Sequence, residues 1–280
     1  MAESKQQEQR QLADDELREK LPLGVKLLRT LAGHQDSVKS LVFAPQGETL
    51  ASGGDDNMVK LWDSHSGELL HTLEGHQDAV MSLAFDPQGG TLASGGGDKT
   101  VKLWEVQSGK LLRTFEGHQG WVNSVAFDPQ GKTLSSGSGD NTVKLWDMRS
   151  GKLLNTLDGR SGSVRCVAFS PQGRMLASGS IGKLVKLWDV QSGKLLYVLA
   201  GHQARVCSVA FHPQGGTLAS GSADNTVKLW DTQSGKLLRT LEGHTTYIDH
   251  IIFSPDGRLL ASKSRDHTIR LWSCETWETV

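Results

Sequence analysis

Tyrosine is nearly missing from this 280-residue chain, which has two. Cysteine is scarce too: Cys166, Cys207 and Cys274 stand at unrelated spacings. An odd, unpatterned set offers no disulfide framework and points to a reducing, cytoplasmic setting. A surplus of either charge is also lacking, since 30 Lys and Arg face 31 Asp and Glu for a formal net charge of −1. That balance gives no reason to expect nucleic acid or an acidic membrane surface as partner. No apolar run approaches the roughly 20 residues that span a bilayer. Residues 1–20 are too polar for a secretory signal. They are rich in Gln, Glu, Lys and Arg, with Leu12 and Leu17 on a possible short helix. They read as a polar tail outside a single folded domain of residues 21–280. Beyond them helical periodicity is absent.

What is abundant is placed periodically. Gly33 and His34 recur as Gly75 and His76, Gly117 and His118, Gly201 and His202, and Gly243 and His244, with Gly159 and Arg160 in the remaining slot. Trp62 recurs as Trp104, Trp146, Trp188, Trp230 and Trp272, and both series step by 42 residues without insertion or deletion. Each unit reads as four short strands. In the third, an alternating run at 122–127 leads to a turn at Pro129, Gln130 and Gly131. A second strand at 134–137 leads to a tight turn at Gly139, Asp140 and Asn141. A third at 143–147 leads to Ser150 and Gly151, and a fourth follows at 153–157. Short runs bounded by Gly, Pro, Asn and Asp are the pattern of antiparallel β structure.

A Gly-His pair near the start of a unit of about 42 residues, with Trp-Asp near its end, resembles the WD-repeat family. The likeness runs from Val25 to Val280, and the near-identical repeats and their Pro-Gln-Gly turns resemble those of bacterial, notably cyanobacterial, members. Glu105 and Ser273 stand where the family has the Asp after Trp. The resemblance implies an all-β, six-bladed β-propeller of four-stranded antiparallel blades around a channel. Only five units carry a fourth strand, whereas residues 26–31 repeat the sequence of 236–241. The N-terminal strand is therefore expected to complete the last blade against residues 268–272, closing the ring and leaving no open edge.

Ser, His and Asp recur in a way that imitates a hydrolase triad. The sets are His34, Ser52, Asp56, Trp62; His76, Ser94, Asp98, Trp104; His118, Ser136, Asp140, Trp146; His202, Ser220, Asp224, Trp230; and His244, Ser262, Asp266, Trp272. A constellation present five times is structural rather than catalytic, so no catalytic residue is assigned. The family resemblance supplies its use, a hydrogen-bonded chain from Asp through His and Ser to the Trp ring nitrogen. Repeat 4 lacks both ends of it, with Arg160 for His and Gly182 for Asp; Arg160 becomes a candidate partner contact. His65, His71, His212 and His250 lack zinc-ligand spacing. The Gly-Ser-Gly strings precede strands and not helices, so no dinucleotide site and no cofactor is implied. Lys60, Lys102, Lys144, Lys186, Lys228 and Arg270 recur on the third strands and read as a solvated surface series.

The repeats also show where uniformity is released. The slot before each blade's opening apolar residue holds Ser37, Ala79, Trp121, Ser163, Arg205 and Tyr247. The slot after it holds Lys39, Met81, Asn123, Arg165, Cys207 and Asp249. The slot before the tight-turn Asp holds Asp55, Gly97, Gly139, Ile181, Ala223 and Arg265. In the resembled family these slots ring one mouth of the channel, a face that commonly binds peptides or proteins. Lys39, Met81, Trp121, Arg160, Arg165, Arg205, Tyr247 and Arg265 are the candidate contacts, since aromatic residues and Arg dominate binding hot spots. The expected function is a non-enzymatic, monomeric scaffold for protein–protein interaction. The alternatives are a six-bladed propeller hydrolase, or a propeller cut from a larger bacterial signalling or ATPase protein.

Overall fold

The computed structural model describes residues 27–275; the tail of residues 1–20 lies outside them. Among the described residues all regular structure is β, in five four-stranded sheets and one three-stranded sheet. Each sheet is an up-and-down meander whose strands lie side by side in chain order. The chain is thus a six-bladed propeller, one blade per repeat.

The tight turns fall where residues tolerate left-handed backbone. Asn57, Asn141 and Asn225 adopt φ of 66°, 73° and 70° between second and third strands, a conformation open to Asn at low cost. The second strands, such as Thr49–Gly54 and Thr91–Gly96, are buried almost throughout. They are flanked within the sheet and faced by adjacent blades, which explains their small residues: Ala51, Ser52 and Gly53, or Ala93, Ser94 and Gly95.

Successive blades pack face to face. In the first junction Val59, Leu61 and Leu73 of blade 1 meet Val80, Leu83, Phe85 and Trp104 of blade 2. The same set recurs at each junction down to blade 6. A serine adds a polar tie. The Leu83 N–H donates to Ser40 Oγ at 3.0 Å, Val125 to Ser82 at 3.1 Å, Val167 to Ser124 at 3.1 Å and Ile251 to Ser208 at 3.2 Å.

The two ends of the array depart from the expected closure. The last blade has three strands, at Ile248–Phe253, Leu259–Ser264 and Ile269–Ser273. Lys26 lies outside the described residues, and residues 27–31 form no ladder with Ile269–Ser273. Instead they run along the outside of blade 1, where the Arg29 guanidinium donates to the Ser66 carbonyl. Among the described residues no blade covers the first strand of blade 1: Val38, Leu41 and Phe43 are 50%, 62% and 58% exposed, against 0%, 7% and 9% for Val80, Leu83 and Phe85.

Candidate functional site

The recurring polar chain can be followed atom by atom in blade 3. The Trp146 Nε1–H donates to Ser136 Oγ at 2.9 Å. His118 Nε2 lies 2.7 Å from the same oxygen, and His118 Nδ1 lies 2.8 Å from Asp140 Oδ2. Indole is only a donor, so one acceptor position of Ser136 is taken. A neutral His118 carrying its proton on Nδ1 faces the carboxylate and leaves Nε2 free to accept the serine proton. Every polar atom is thereby paired in a seam where an unpaired group costs about 1–3 kcal/mol. Burial pushes the Asp140 carboxyl upward, but donors from Thr142, Gln119 and His118 outweigh it and hold its pKa at about 2. Burial lowers the pKa of His118, which favours the neutral ring. Blades 1, 2, 5 and 6 repeat this geometry.

Blade 4 keeps only the inner half. Trp188 still donates to Ser178 at 2.9 Å. Arg160 points to solvent, bonded to Asp158 at 3.1 Å. The Ser161 carbonyl oxygen lies 1.9 Å from where a Cβ on Gly182 would stand. The loop has therefore settled into the room that an Asp would need.

The basic series on the third strands is not a solvated surface. Lys60, Lys102, Lys144 and Lys186 are buried. Lys60, Lys102, Lys144 and Lys228 donate to Thr72, Thr114, Thr156 and Thr240 at 2.8–3.2 Å. The stems lie along apolar surface while the ammonium reaches a hydroxyl. Sequence did carry a signal: the Thr follows the Lys by twelve residues in those blades, and Val198 replaces it in blade 4. There Lys186 Nζ instead lies 5.9 Å from the Trp188 ring centroid. His71 Nε2 and His212 Nε2 face the carbonyls of Gln107 and Gly257 at 3.0 Å each.

The variable slots share one rim. In every blade the residue before the tight-turn position donates its N–H to the carbonyl of the first slot: Asp55 to Ser37, Gly97 to Ala79, Gly139 to Trp121, Ile181 to Ser163, Ala223 to Arg205 and Arg265 to Tyr247, at 2.8–3.0 Å. One group of rim residues converges. The Tyr247 ring lies 5.1 Å from the Arg205 guanidinium carbon and 6.0 Å from that of Arg265. Arg265 is tied to Asp249 at 3.1 Å. Arg165 reaches Asn123 across the junction of blades 3 and 4 at 3.4 Å, and Lys39 pairs with Asp55 at 2.6 Å. Trp121 stands 55% exposed; it and the half-buried Met81 join none of these groups.

A family model described as "WD domain, G-beta repeat" matches residues 25–63, 67–105, 109–147, 151–189, 193–231 and 235–273. One relative is the "Vegetative incompatibility protein HET-E-1" of Podospora anserina, 50% identical over 39 residues. That match covers 14% of this chain and spans 3% of the relative's length.

Proposed function

The chain belongs to the WD-repeat family, whose propellers serve in general as protein-interaction scaffolds, and from that premise we propose that this one recognises a protein or peptide partner through the rim carrying Trp121, Arg205 and Tyr247. The carrying observation is the Tyr247 ring flanked by two guanidiniums. Cation–π contacts of this kind hold large side chains in place before a partner arrives, so less ordering entropy is lost on binding. Fold does not call for these side chains, because Ser37, Ala79 and Ser163 occupy the same slot in other blades.

The reading is non-enzymatic. Ser94, Ser136, Ser220 and Ser262 are buried and their oxygens are shared between indole and imidazole. A nucleophile so placed has no room for a substrate carbonyl.

The test uses a peptide selected from a display library on the wild-type protein. Trp121→Ala, Arg205→Ala and Tyr247→Ala should each keep the melting temperature within the range of surface substitutions. Loss of an anchor of about 2 kcal/mol corresponds to roughly thirtyfold weaker binding. Unchanged affinity in all three variants would place recognition elsewhere.

A further inference from the structure

The charges of the rim are sorted by blade. Two places before each blade's opening apolar residue stand Asp36, Asp78, Gly120, Gly162, Ala204 and Thr246, so carboxylates occur there in blades 1 and 2 alone. Asp78 belongs to the same rim: a Cβ on Gly97 would stand 2.6 Å from its carboxylate oxygen. Asp55 adds a further carboxylate in blade 1, where it neutralises Lys39. The guanidiniums stand elsewhere, with Arg165 in blade 4, Arg205 in blade 5 and Arg265 in blade 6. Of these, Arg265 is already held by Asp249.

Blade 4 is the cationic pole of this distribution. The tight turn of every other blade carries a carboxylate, Asp56, Asp98, Asp140, Asp224 or Asp266, whereas blade 4 has Gly182. Beside it Lys183 is exposed, with a φ of 69°, at the slot that Asn57, Asn141 and Asn225 fill. Arg165 reaches only the neutral amide of Asn123, and the Cys207 thiol lies in the joint field of Arg165, Arg205 and Asp249. Among the described residues no carboxylate pairs with Arg165, Lys183 or Arg205. The same sector exposes apolar surface, since Trp121 and Ile181 are 55% and 48% exposed. A Cβ built on Gly139 would lie 3.5 Å from the Trp121 nitrogen and 3.8 Å from Ser163 Oγ. The Ile181 N–H donates to the Ser163 carbonyl at 3.0 Å. Gly139 and Ser163 therefore connect Trp121 to Ile181 along the rim.

We infer that the segment recognised on this rim is an acidic peptide: Asp or Glu carboxylates taken by Arg165, Lys183 and Arg205 on blades 4 and 5, next to an apolar side chain laid between Trp121 and Ile181. This rests on the rim being the recognition face and adds the chemistry of what it recognises. Over blades 4 and 5 the carboxylates meet three cations that have no counter-charge of their own. Over blades 1 and 2 they would meet Asp36, Asp55 and Asp78, and like charges there cost affinity, so the segment is held on one side of the ring. The absence of a tight-turn carboxylate in blade 4 serves the same end, since an Asp at 182 would face the incoming anion. A long polyanion such as nucleic acid fits less well. It would extend over the acidic sector too, and it has no apolar side chain for Trp121 and Ile181.

The repeats supply variants that the fold accepts, because each places a residue already present at the same slot of another blade. Arg165→Asn copies Asn123, Lys183→Asn copies Asn141, Ile181→Gly copies Gly139 and Asp78→Ala copies Ala204. The probe is the peptide selected from the display library on the wild-type protein, and its sequence should hold Asp or Glu beside Leu, Phe or Trp. At low salt Arg165→Asn and Lys183→Asn should each weaken its binding about threefold, and together about tenfold. In about 1 M salt, where the Debye length is roughly 3 Å, that loss should disappear. Ile181→Gly should weaken binding about fivefold at either salt, and Asp78→Ala should not weaken it. If Trp121→Ala, Arg205→Ala and Tyr247→Ala all leave affinity unchanged, or the library yields no binder, the rim is not the recognition face and the acidic peptide falls with it. If those variants weaken binding but the selected peptides are neutral or basic, or the double Asn variant binds like wild type at low salt, the rim stands and the acidic peptide alone is overturned. An oligothymidylate that competes as well as the peptide overturns it too.

Discussion

At the scale of single residues, the seam of each blade sets a pH dependence. The carboxyls of Asp56, Asp98, Asp140 and Asp224 are raised by burial and lowered further by the donors around them, ending below their usual value of 3.8. A lowered folded-state pKa means that the unfolded chain binds the proton more readily. The stabilisation is complete above about pH 4 and is lost as pH falls toward 2, the value held by Asp140. His118, lowered by burial from 6.5, also favours the unfolded chain on acidification, starting at higher pH. Melting temperature should therefore slip below about pH 6.5 and drop steeply below pH 4. Asp140→Asn should lower the neutral-pH melting temperature and flatten the acid limb. An acid limb of unchanged steepness in that variant would count against the network as its source. Blade 4 shows why such pairs are lost together. With Gly182 in place of Asp, Arg160 in the place of His118 turns to Asp158 instead, and the Ser161 carbonyl has taken the vacant position. Restoring Asp alone at 182 meets that carbonyl before it meets any partner.

At the scale of the strand, the recurring Gly of the second strand decides how closely two blades approach. A Cβ on Gly137 would stand 2.6 Å and 3.0 Å from methyl groups of Val164 and Val167. Gly137→Ala should destabilise the protein by about 1–3 kcal/mol through overpacking. Gly90, in the turn before a second strand, has nothing within 4 Å of a built Cβ. Gly90→Ala should stay within about 0.5 kcal/mol. Denaturant midpoints of the two variants make the comparison, and equal midpoints would remove the steric account of the blade approach.

At the scale of the whole molecule, the blades form a one-dimensional array in which each is stabilised by its neighbours. Blades 2 to 5 have a packed face on both sides, whereas blades 1 and 6 each leave one bare among the described residues. Opening free energies should follow that count. Native-state hydrogen exchange should show slow exchange in the second strands of blades 2 to 5 and faster exchange in Thr49–Gly54 and Leu259–Ser264. Uniform protection around all six second strands would mean a sealed ring in solution.

The sequence by itself determined the class and number of the blades, because a strict 42-residue period with turn residues at fixed offsets admits one local structure per repeat. It also marked the Asp–His–Ser–Trp sets, since residues that recur in phase answer to a need that recurs in phase. The rim slots were legible for the opposite reason, as positions where the phase carries no fixed residue. Tertiary structure decided that Lys60, Lys102, Lys144 and Lys186 are buried, because the Thr twelve residues on becomes a partner only once the fourth strand lies beside the third. It alone gathered Arg205, Tyr247 and Arg265 from two blades into one cluster. It also decided the ends: counting strands balances residues 26–31 against blade 6, but a count carries no steric information. Lys263 stands where the five other blades have a Gly packed against a Val or Ile methyl, and that contact is a matter of distances, which exist only once the blades are packed.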